Sequence, residues 1–447
     1  MITKSPTPIG DTPEVDGGTL RKIGRINKEF DIALNLPGSK SMTLRHFLLA
    51  GLADGQSIIR SWGICDDTNR MIEALKNLGV SVQVSSDAVI IDGSGGSFSP
   101  SGRFIFLGGS GVSSRFLLPV LGLMRGEVTL DGDETLRARP HGPLINSLRS
   151  LGAHIQARND QYLPITVRGS GELGSEVSVD CSESSQYLSA LLQIGPCLPE
   201  GIRVTIAGEL ASAPYLGITL REMQKFGAVV EAVQDGVFQV SGGGYTAVDT
   251  VVEGDASAAS YLAGLATLHG GAITLNNLNQ DTDQGDLRFL ELCEQLGARV
   301  EFKPSSIRIT GPSKGLMRHV SSTIAMDDIP DTAPTLIAMA PFIPGTTKIT
   351  GLSTLRIKEC DRLEAPVREL RKLNVPIEVG HDWIAVGELP STFEGGNRVV
   401  FETYNDHRIA MSLSLTASRI GGIAIANPSC VNKTYPNFWR DLGLLGA

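Results

Sequence analysis

The sequence predicts an α/β protein of two domains built from repeated units, and three observations support this prediction. The chain has 447 residues, of which 41% are hydrophobic and 19% charged, and this length is enough for two or more domains with sizeable cores. A helix–turn–strand pattern recurs along it. The longest apolar run, FLLPVLGLM, is too short to cross a membrane.

The helix–turn–strand pattern is clearest in five segments, which read MIEALKNLGVSVQV, LINSLRSLGAHIQA, LREMQKFGAVVEA, LELCEQLGARVEF and VRELRKLNVPIEV. Each helix shows i, i+3, i+4 apolar spacing, and each strand alternates with period 2. The turn residue is glycine or asparagine, which most readily adopt the left-handed conformation that closes a helix. These turn residues are Gly79, Gly152, Gly227, Gly297 and Asn374. A weaker copy, FWRDLGLLGA, places Gly443 at the same point, so we predict six units.

Charge and cysteine usage limit the classes of function. The net charge is −9, so no overall positive field favours nucleic acid or an anionic membrane. The N-terminal stretch MITKSPTPIGDTPEVDGG carries acids and no apolar segment, and we expect neither a secretory signal nor a transit peptide. The six cysteines form no CxxC or Cys/His cluster. This favours reduced thiols in the cytoplasm and no metal site.

Positive side chains gather beside turn signals. The segment LPGSKSMTLR places Lys40 and Arg45 in a Gly/Ser-rich turn where a strand gives way to a helix, and a helix start attracts anions. A surface salt bridge is the simpler explanation for any one such cation. Together they favour a ligand with several anionic groups. The other cations beside turns are Arg115, Arg137, Arg139, Lys358, Arg362, Arg408 and Lys433.

Two polar segments have alternative interpretations. LGGSGVSSRF is similar to the opening of a dinucleotide-binding loop, with Asp131 about 20 residues further on, but Ser114 stands where the third glycine belongs. In DCSESSQYLSALL, helix capping explains one serine. Three serines with Gln186 would suit a phosphorylated or polyhydroxylated ligand.

Three further residues are candidates for acid–base chemistry. Asp331 and Glu359 stand near arginines at helix starts. Each is either a structural ion-pair partner or a general acid or base. His407 in YNDHR either orients a loop or takes part in catalysis.

In order along the chain, these segments resemble the 5-enolpyruvylshikimate-3-phosphate synthase family. The resemblance spans nearly the whole chain after the N-terminal stretch, through LPGSKS, RARPHG, SESSQYLSALL, ELASAPY, VEGDASAASY, QGDLRF, IPDTAPT, RIKECDRL, YNDHRIAMS and NKTYPNFW. It implies a two-domain inverse α/β barrel of six βαβαββ units, with a ligand cleft between the domains. The implied domains are residues 1–38 with 254–447, and residues 39–253, with a hinge near residues 38 and 254.

The resemblance also implies a reaction. The family transfers the carboxyvinyl group of phosphoenolpyruvate to the 5-hydroxyl of shikimate 3-phosphate and releases phosphate, by addition and then elimination. This step belongs to chorismate and aromatic amino-acid biosynthesis and uses no metal or organic cofactor. We therefore expect a cytoplasmic monomer with two small-molecule substrates and no nucleic-acid or membrane partner. The herbicide glyphosate would occupy the phosphoenolpyruvate site.

Site residues follow from the matching motifs. The residues expected to hold phosphoenolpyruvate are Lys40, Gly111, Arg139, Gln186, Arg362, Arg408 and Lys433. Those expected to hold shikimate 3-phosphate are Lys40, Ser41, Arg45, Ser184, Ser185, Gln186, Ser212, Tyr215, Asp331 and Lys358. Asp331 would accept the proton of the attacking hydroxyl. Glu359, with Lys40, would protonate and then deprotonate the methylene carbon.

Some positions depart from the family pattern, and two alternatives stay open. The departures are Leu44, Gly109, Ser110, Val112, Phe116, Gly217 and Thr354. We expect activity to be kept, and glyphosate sensitivity to depend on the room that Val112 and Phe116 leave. The alternatives are a carboxyvinyltransferase for another acceptor and a non-catalytic binding protein that descends from the synthase.

Overall fold

The computed structural model describes residues 14–15, 18–85, 87–318, 323–393 and 399–447. The expectation about the N-terminal stretch falls largely on residues 1–13, which lie outside the described residues. None of the described helices has the length and apolarity needed to span a bilayer. All six cysteines are free, as expected.

The described chain alternates strands and helices from end to end. The strands are β1 (Glu14–Val15), β2 (Gly18–Lys22), β3 (Asp31–Asn35), β4 (Gln56–Arg60), β5 (Ser81–Val84), β6 (Ala88–Asp92), β7 (Phe104–Phe106), β8 (Arg125–Asp131), β9 (His154–Arg158), β10 (Tyr162–Ser170), β11 (Glu176–Asp180), β12 (Ile202–Ala207), β13 (Val230–Gln234), β14 (Val237–Val240), β15 (Asp249–Val251), β16 (Ala272–Asn276), β17 (Arg299–Lys303), β18 (Ser306–Thr310), β19 (Thr323–Ala325), β20 (Thr347–Thr350), β21 (Ile377–Val379), β22 (Ile384–Val386), β23 (Val400–Phe401) and β24 (Ala424–Ala426). The α-helices are α1 (Lys40–Leu52), α2 (Asp66–Asn77), α3 (Gly111–Leu123), α4 (Glu134–Arg137), α5 (Gly142–Ser150), α6 (Gln186–Ile194), α7 (Pro214–Lys225), α8 (Ala256–His269), α9 (Phe289–Gln295), α10 (Ala333–Met339), α11 (Glu364–Arg371), α12 (His407–Ile420) and α13 (Phe438–Leu444). Short 3₁₀ segments span Gly195–Cys197, Gly285–Arg288, Pro330–Thr332, Ala340–Phe342, Ser353–Ile357 and Pro428–Lys433.

The strands form six four-stranded sheets with one common design. In each sheet a parallel pair is extended on one side by two antiparallel strands. The orders are β15-β4-β6-β5, β7-β8-β10-β9, β11-β12-β14-β13, β3-β16-β18-β17, β19-β20-β22-β21 and β23-β24-β2-β1. Parallel strands need a crossover connection, usually a helix, and α3, α6, α10 and α12 supply it in four sheets. The predicted α/β class with six repeated units is confirmed.

Two sheets exchange strands. β3 leads through α1 into β4 but pairs with β16, whereas β15 leads through α8 into β16 but pairs with β4. The two exchanging segments meet at an isolated antiparallel bridge between Gly38 and Gly254. The chain therefore crosses between these two sheets twice, and both crossings meet at the Gly38–Gly254 bridge.

Five of the six predicted helix-closing positions are confirmed. Gly79, Gly152, Gly227, Gly297 and Asn374 all have positive φ, between 59° and 102°. The sixth prediction is wrong, because Gly443 lies inside α13 and Gly446, with φ 93°, takes the left-handed position instead. No strand of the described chain follows α13, because β2 and β1 from the N-terminal end complete the last sheet.

Buried apolar side chains form two clusters. The first, which we call the outer core, is drawn from the two ends of the chain, between Ile23 and Leu36 and between Ala256 and Leu445. The second, which we call the inner core, is drawn from the segment between Met42 and Val252. Helices α1, α3, α8, α10 and α12 are buried along nearly their whole length. Helices that are apolar on most sides are found in core interiors.

The close approach at Gly38 leads to a stability prediction. A Cβ atom there would lie 2.1 Å from the carbonyl oxygen of Ser61 and 2.7 Å from the amide nitrogen of Gly63. Gly38→Ala forces backbone movement and is expected to lower the free energy of unfolding by about 1–3 kcal/mol. The control Gly217→Ala, whose Cβ meets no atom within 4 Å on α7, is expected to raise it by about 0.5–1 kcal/mol. Equal melting temperatures for the two variants would contradict this account.

Candidate active site

Helix starts from both cores face one cleft. α1, α3, α6, α12 and the 3₁₀ segment before α10 all contribute residues of their first turn to its lining. Helix N-termini offer unpaired backbone N–H groups and a partial positive charge. The cleft is therefore suited to anionic ligands before any side chain is considered.

The predicted site residues come together in this cleft. Its lining includes Lys40, Ser41, Arg45, Gly111, Arg139, Ser184, Ser185, Gln186, Ser212, Tyr215, Asp331, Lys358, Glu359, Arg362 and Arg408. Lys433 lines the adjoining cavity, and its Nζ lies 3.7 Å from Glu359 Oε1. Arg137 lies elsewhere, where its exposed side chain pairs with the buried carboxylate of Asp131. For that arginine the simpler explanation holds.

Asp331 is an ionised carboxylate among three cations. Its Oδ2 lies 2.8 Å from Arg408 Nη2, and its Oδ1 lies 3.1 Å from Arg362 Nη1 and 4.0 Å from Lys358 Nζ. Burial raises the pKa of Asp331, but the charges of Arg408, Lys358 and Arg362 together hold it well below its ordinary value. The group therefore accepts protons and hydrogen bonds.

Glu359 is ionised for the same physical reason. Its Oε2 accepts from Arg362 at 2.6 Å, and its Oε1 lies 3.6 Å from Arg139 Nη1. Burial raises the pKa of Glu359, but Arg362, Arg139 and Lys433 hold it well below the usual range. For Lys40, burial lowers the pKa, but the charges of Asp67 and Glu359 outweigh this and raise it. In this state Lys40 carries the proton and Glu359 does not.

Asp67 and Asp406 are buried aspartates beside the site that the sequence did not mark as candidates. Asp67, on the first turn of α2, lies 3.2 Å from Lys40 Nζ and 3.7 Å from Lys433 Nζ. Asp406 accepts from Arg362 Nε at 2.7 Å and caps α12 through the backbone N–H of Arg408. Acids at helix starts are common because they complement the helix dipole. Nothing in the sequence distinguishes these two.

His407 is a buried neutral side chain. Burial, followed by the charge of Lys40, holds the pKa of His407 well below its ordinary value. Its Nδ1 lies 3.6 Å from Asp406 Oδ1. It therefore adds no positive charge to the cleft at neutral pH.

Arg45 is held rigidly on the inner-core side. It donates through Nε to Thr219 Oγ1 at 2.8 Å and through Nη1 to the carbonyl oxygen of Ser41 at 2.8 Å. Its guanidinium lies 5.1 Å from the ring centroid of Phe116, which is one of the departures from the family pattern. A fixed arginine loses little rotamer freedom on binding a carboxylate or phosphate.

Gly109, just before α3, and Gly111, its first residue, lie against the ends of two cationic side chains. A Cβ on Gly111 would lie 2.3 Å from Arg139 Nη1, and a Cβ on Gly109 would lie 2.7 Å from Lys433 Nζ. Lys433 donates to the carbonyl oxygen of Gly109. The departure at Gly109 thus brings the backbone and this lysine together.

Comparison with known proteins decides the family. A profile described as EPSP synthase (3-phosphoshikimate 1-carboxyvinyltransferase) matches residues 21–442. The chain belongs to the EPSP (5-enolpyruvylshikimate-3-phosphate) synthase family. It is 38% identical over 439 residues to the 3-phosphoshikimate 1-carboxyvinyltransferase of Erwinia tasmaniensis, covering 96% of this chain and 99% of that one. The protein of the same name from Salmonella typhi is 37% identical over 435 residues, with the same coverage.

Solved structures agree with the assignment to the EPSP synthase family. EPSP synthase from Acinetobacter baumannii superposes with a TM-score of 0.78 at 25% identity, covering 95% of this chain and 97% of that one. The enolpyruvyl transferase NikO from Streptomyces tendae reaches a TM-score of 0.77 at 16% identity, with 97% and 98% covered. NikO shares the fold, and the predicted inverse-barrel class is confirmed.

Proposed function

We propose that this chain transfers the enolpyruvyl group of phosphoenolpyruvate to the 5-hydroxyl of shikimate 3-phosphate and releases phosphate. The observation that carries the proposal is the concentration of cations around two ionised carboxylates in one cleft. The two substrates together bring two phosphates and two carboxylates, which repel one another. Fixed cations and helix starts offset that repulsion and hold the reacting atoms together. The cations are Lys40, Arg45, Arg139, Lys358, Arg362, Arg408 and Lys433.

The placement of the substrates follows the two sides of the cleft. Shikimate 3-phosphate would bind the inner-core side, with Arg45, Ser41, Ser184, Ser185, Ser212 and Tyr215, and Lys358 from the outer core. Phosphoenolpyruvate would lie among Lys40, Gly111, Arg139, Arg362, Arg408 and Lys433. Gln186 would touch both substrates. Its Oε1 is oriented by Arg115 Nη1 at 2.8 Å.

The chemistry uses three groups. The oxygen of the 5-hydroxyl attacks the enol carbon of phosphoenolpyruvate, and Asp331 takes the proton of this hydroxyl. Lys40, which carries a proton, gives it to the methylene carbon, and a tetrahedral intermediate forms. In the elimination, Glu359 takes a proton from the new methyl group as the C–O bond to phosphate breaks. The low pKa of Glu359 and the raised pKa of Lys40 support this division of roles.

We also infer that residues 1–38 with 254–447 and residues 39–253 form the two domains, with the hinge near residues 38 and 254. The separate apolar cores and the Gly38–Gly254 bridge support this division. Asp331 and Lys358 lie on one side and Arg45 on the other, so closure would bring them onto one substrate. We propose that the protein acts as a monomer, because one chain supplies every predicted residue. We propose the cytoplasm as its compartment, because its six cysteines are free thiols.

Phosphate release tests the proposal. Purified protein is incubated with phosphoenolpyruvate and shikimate 3-phosphate, separately and together. We expect phosphate only when both are present. If a folded protein releases no phosphate with both substrates, the proposal is overturned. If it releases phosphate only with a different acceptor in place of shikimate 3-phosphate, the proposed acceptor is wrong.

The titration of Lys358 gives a prediction about pH. Burial, with help from Arg362 and Arg139, lowers the pKa of Lys358 to about 8. A lysine is charged below its pKa, so the Kd for shikimate 3-phosphate is expected to rise about tenfold from about pH 7 to about pH 9. Lys358→Arg stays charged and is expected to lose most of this rise. The Kd values are measured by calorimetry. If the Kd of Lys358→Arg rises with pH as much as that of the wild type, the titrating group is not Lys358.

A further inference from the structure

A second buried carboxylate lies behind Asp331. Asp286, in the 3₁₀ segment Gly285–Arg288, is 5% exposed. The Tyr215 hydroxyl lies 3.1 Å from Asp331 Oδ2 and 3.2 Å from Asp286 Oδ2. Tyr215 comes from α7 of the inner core, whereas both aspartates belong to the outer core. One hydroxyl therefore joins the two carboxylates across the cleft.

Asp331, Tyr215 and Asp286 together hold one proton too few for the Tyr215 hydroxyl to be hydrogen-bonded to both carboxylates. A tyrosine hydroxyl donates one hydrogen bond, and ionised carboxylates only accept. With both aspartates ionised, Tyr215 serves one of them and faces the other without a proton between the oxygens. One added proton completes both hydrogen bonds, whichever carboxylate holds it. The geometry thus provides a place for one proton arriving from Asp331.

The surroundings make Asp286 the better holder of that proton. Burial, followed by the negative charge of Asp331, raises the pKa of Asp286 to about 6. The groups facing Asp286 are Ser257 and Asp255 at the start of α8, Tyr215 on α7, Asp331 before α10, and Arg408 on α12. The hydroxyl of Ser257 donates to Asp286, and Arg408 lowers its pKa, but neither outweighs burial. Asp331, by contrast, is surrounded by cations that favour its ionised form.

We propose that Asp286 is a proton acceptor that regenerates the base Asp331 through Tyr215, an inference that rests on the proposed function. The O–H bond of the 5-hydroxyl breaks and the proton moves to Asp331. Asp331 then passes a proton to Tyr215 Oη while Tyr215 passes its own proton to Asp286 Oδ2. Asp331 is ionised again while the tetrahedral intermediate is bound, and its charge continues to balance Arg408 and Arg362. Asp286 gives the proton to water when the products leave, and the released phosphate takes one up from water.

The test is Asp286→Asn, with Asp281→Asn as the matched control. Asp281 is exposed and lies five residues earlier in the same loop region. The wild-type kcat is expected to fall below about pH 6, because a protonated Asp286 accepts no further proton. Asp286→Asn is expected to lower kcat about 10- to 100-fold near neutral pH, to lose this acid limb and to change both KM values less than about twofold. Asp281→Asn should follow the wild type.

Two further variants decide how the effect arises. Tyr215→Phe keeps the ring and removes the hydroxyl, so its loss in kcat is expected to match that of Asp286→Asn. The double variant should be no slower than either single variant, because both interrupt one path. The relay is overturned if Asp286→Asn keeps a wild-type kcat or the acid limb, or if the two losses multiply. If Asp286→Asn melts before assay, the pH profile of Tyr215→Phe decides by itself. A wild-type protein that releases no phosphate would instead overturn the proposed function.

Discussion

Asp331→Asn is expected to lower the kcat of phosphate release by about 10²- to 10⁴-fold, the range for loss of a general base. An asparagine has nearly the same shape, and its one side-chain oxygen still accepts from either Arg408 Nη2 or Arg362 Nη1, while its NH2 group faces the other arginine. It cannot take a proton from the attacking hydroxyl. The loss is therefore expected mainly in kcat, measured as initial rates at saturating concentrations of both substrates.

Asp328→Asn is the control for Asp331→Asn. Asp328 lies three residues earlier and pairs with Arg288 at 2.6 Å, but both partners are partly exposed. Exposed ion pairs contribute about 0–1 kcal/mol, so kcat is expected to stay within about twofold. A wild-type kcat in Asp331→Asn, in protein that melts normally, would transfer the role of base to another group, with Glu359 tested next.

Removal of the Asp406 carboxylate is expected to produce the largest loss of stability. Asp406 is fully buried, and its Oδ2 accepts from Arg362 Nε at 2.7 Å. Breaking a buried ion pair by deleting one partner costs about 3–5 kcal/mol. We expect the lower end, because Arg362 keeps Asp331 and Glu359 as partners. The lost cap of α12 adds about 1 kcal/mol.

Asp361→Ala is the matched comparison for Asp406→Ala. Asp361 also accepts a hydrogen bond at a helix start, from the backbone N–H of Glu364 at 2.9 Å, and also pairs with an arginine, Arg356. Its side chain is 37% exposed, so we expect a loss of about 1 kcal/mol. Both free energies of unfolding come from urea titration. Equal losses in the two variants would mean that burial of the Asp406–Arg362 pair adds nothing.

Much of the fold could be predicted, because the helix–turn–strand junctions are local. At five of these junctions a glycine or asparagine closes the helix with the expected positive φ. The exchange of β3 and β15 between sheets could not be predicted from local sequence patterns, because each strand is followed by a buried helix in the same way. The sixth helix-closing position was predicted wrongly because FWRDLGLLGA offers two glycines, and Gly446 closes the helix in place of Gly443.

The site could be predicted where cations stand in distinctive turns, and less well where acids stand at helix starts. Lys40, Arg139, Arg362 and Arg408 all face the cleft. Asp67, Asp286 and Asp406 were not assigned, because their importance comes from partners far along the chain. Asp67, for example, meets Lys433. Which of Lys40 and Glu359 holds the proton also depends on burial and neighbours that only the folded chain brings together.

The exchanged strands have a consequence for the order in which the protein folds as it is synthesised. All strands of the three sheets around the inner core lie between β4 and β15, so a ribosome has supplied every partner once β15 has emerged. β3 must wait for β16, and β2 must wait for β24 at the far end of the chain. Contacts of such long sequence separation form slowly. β2 and β3 thus wait for partners that are made hundreds of residues later, and until then their unpaired edges are exposed to association with other chains.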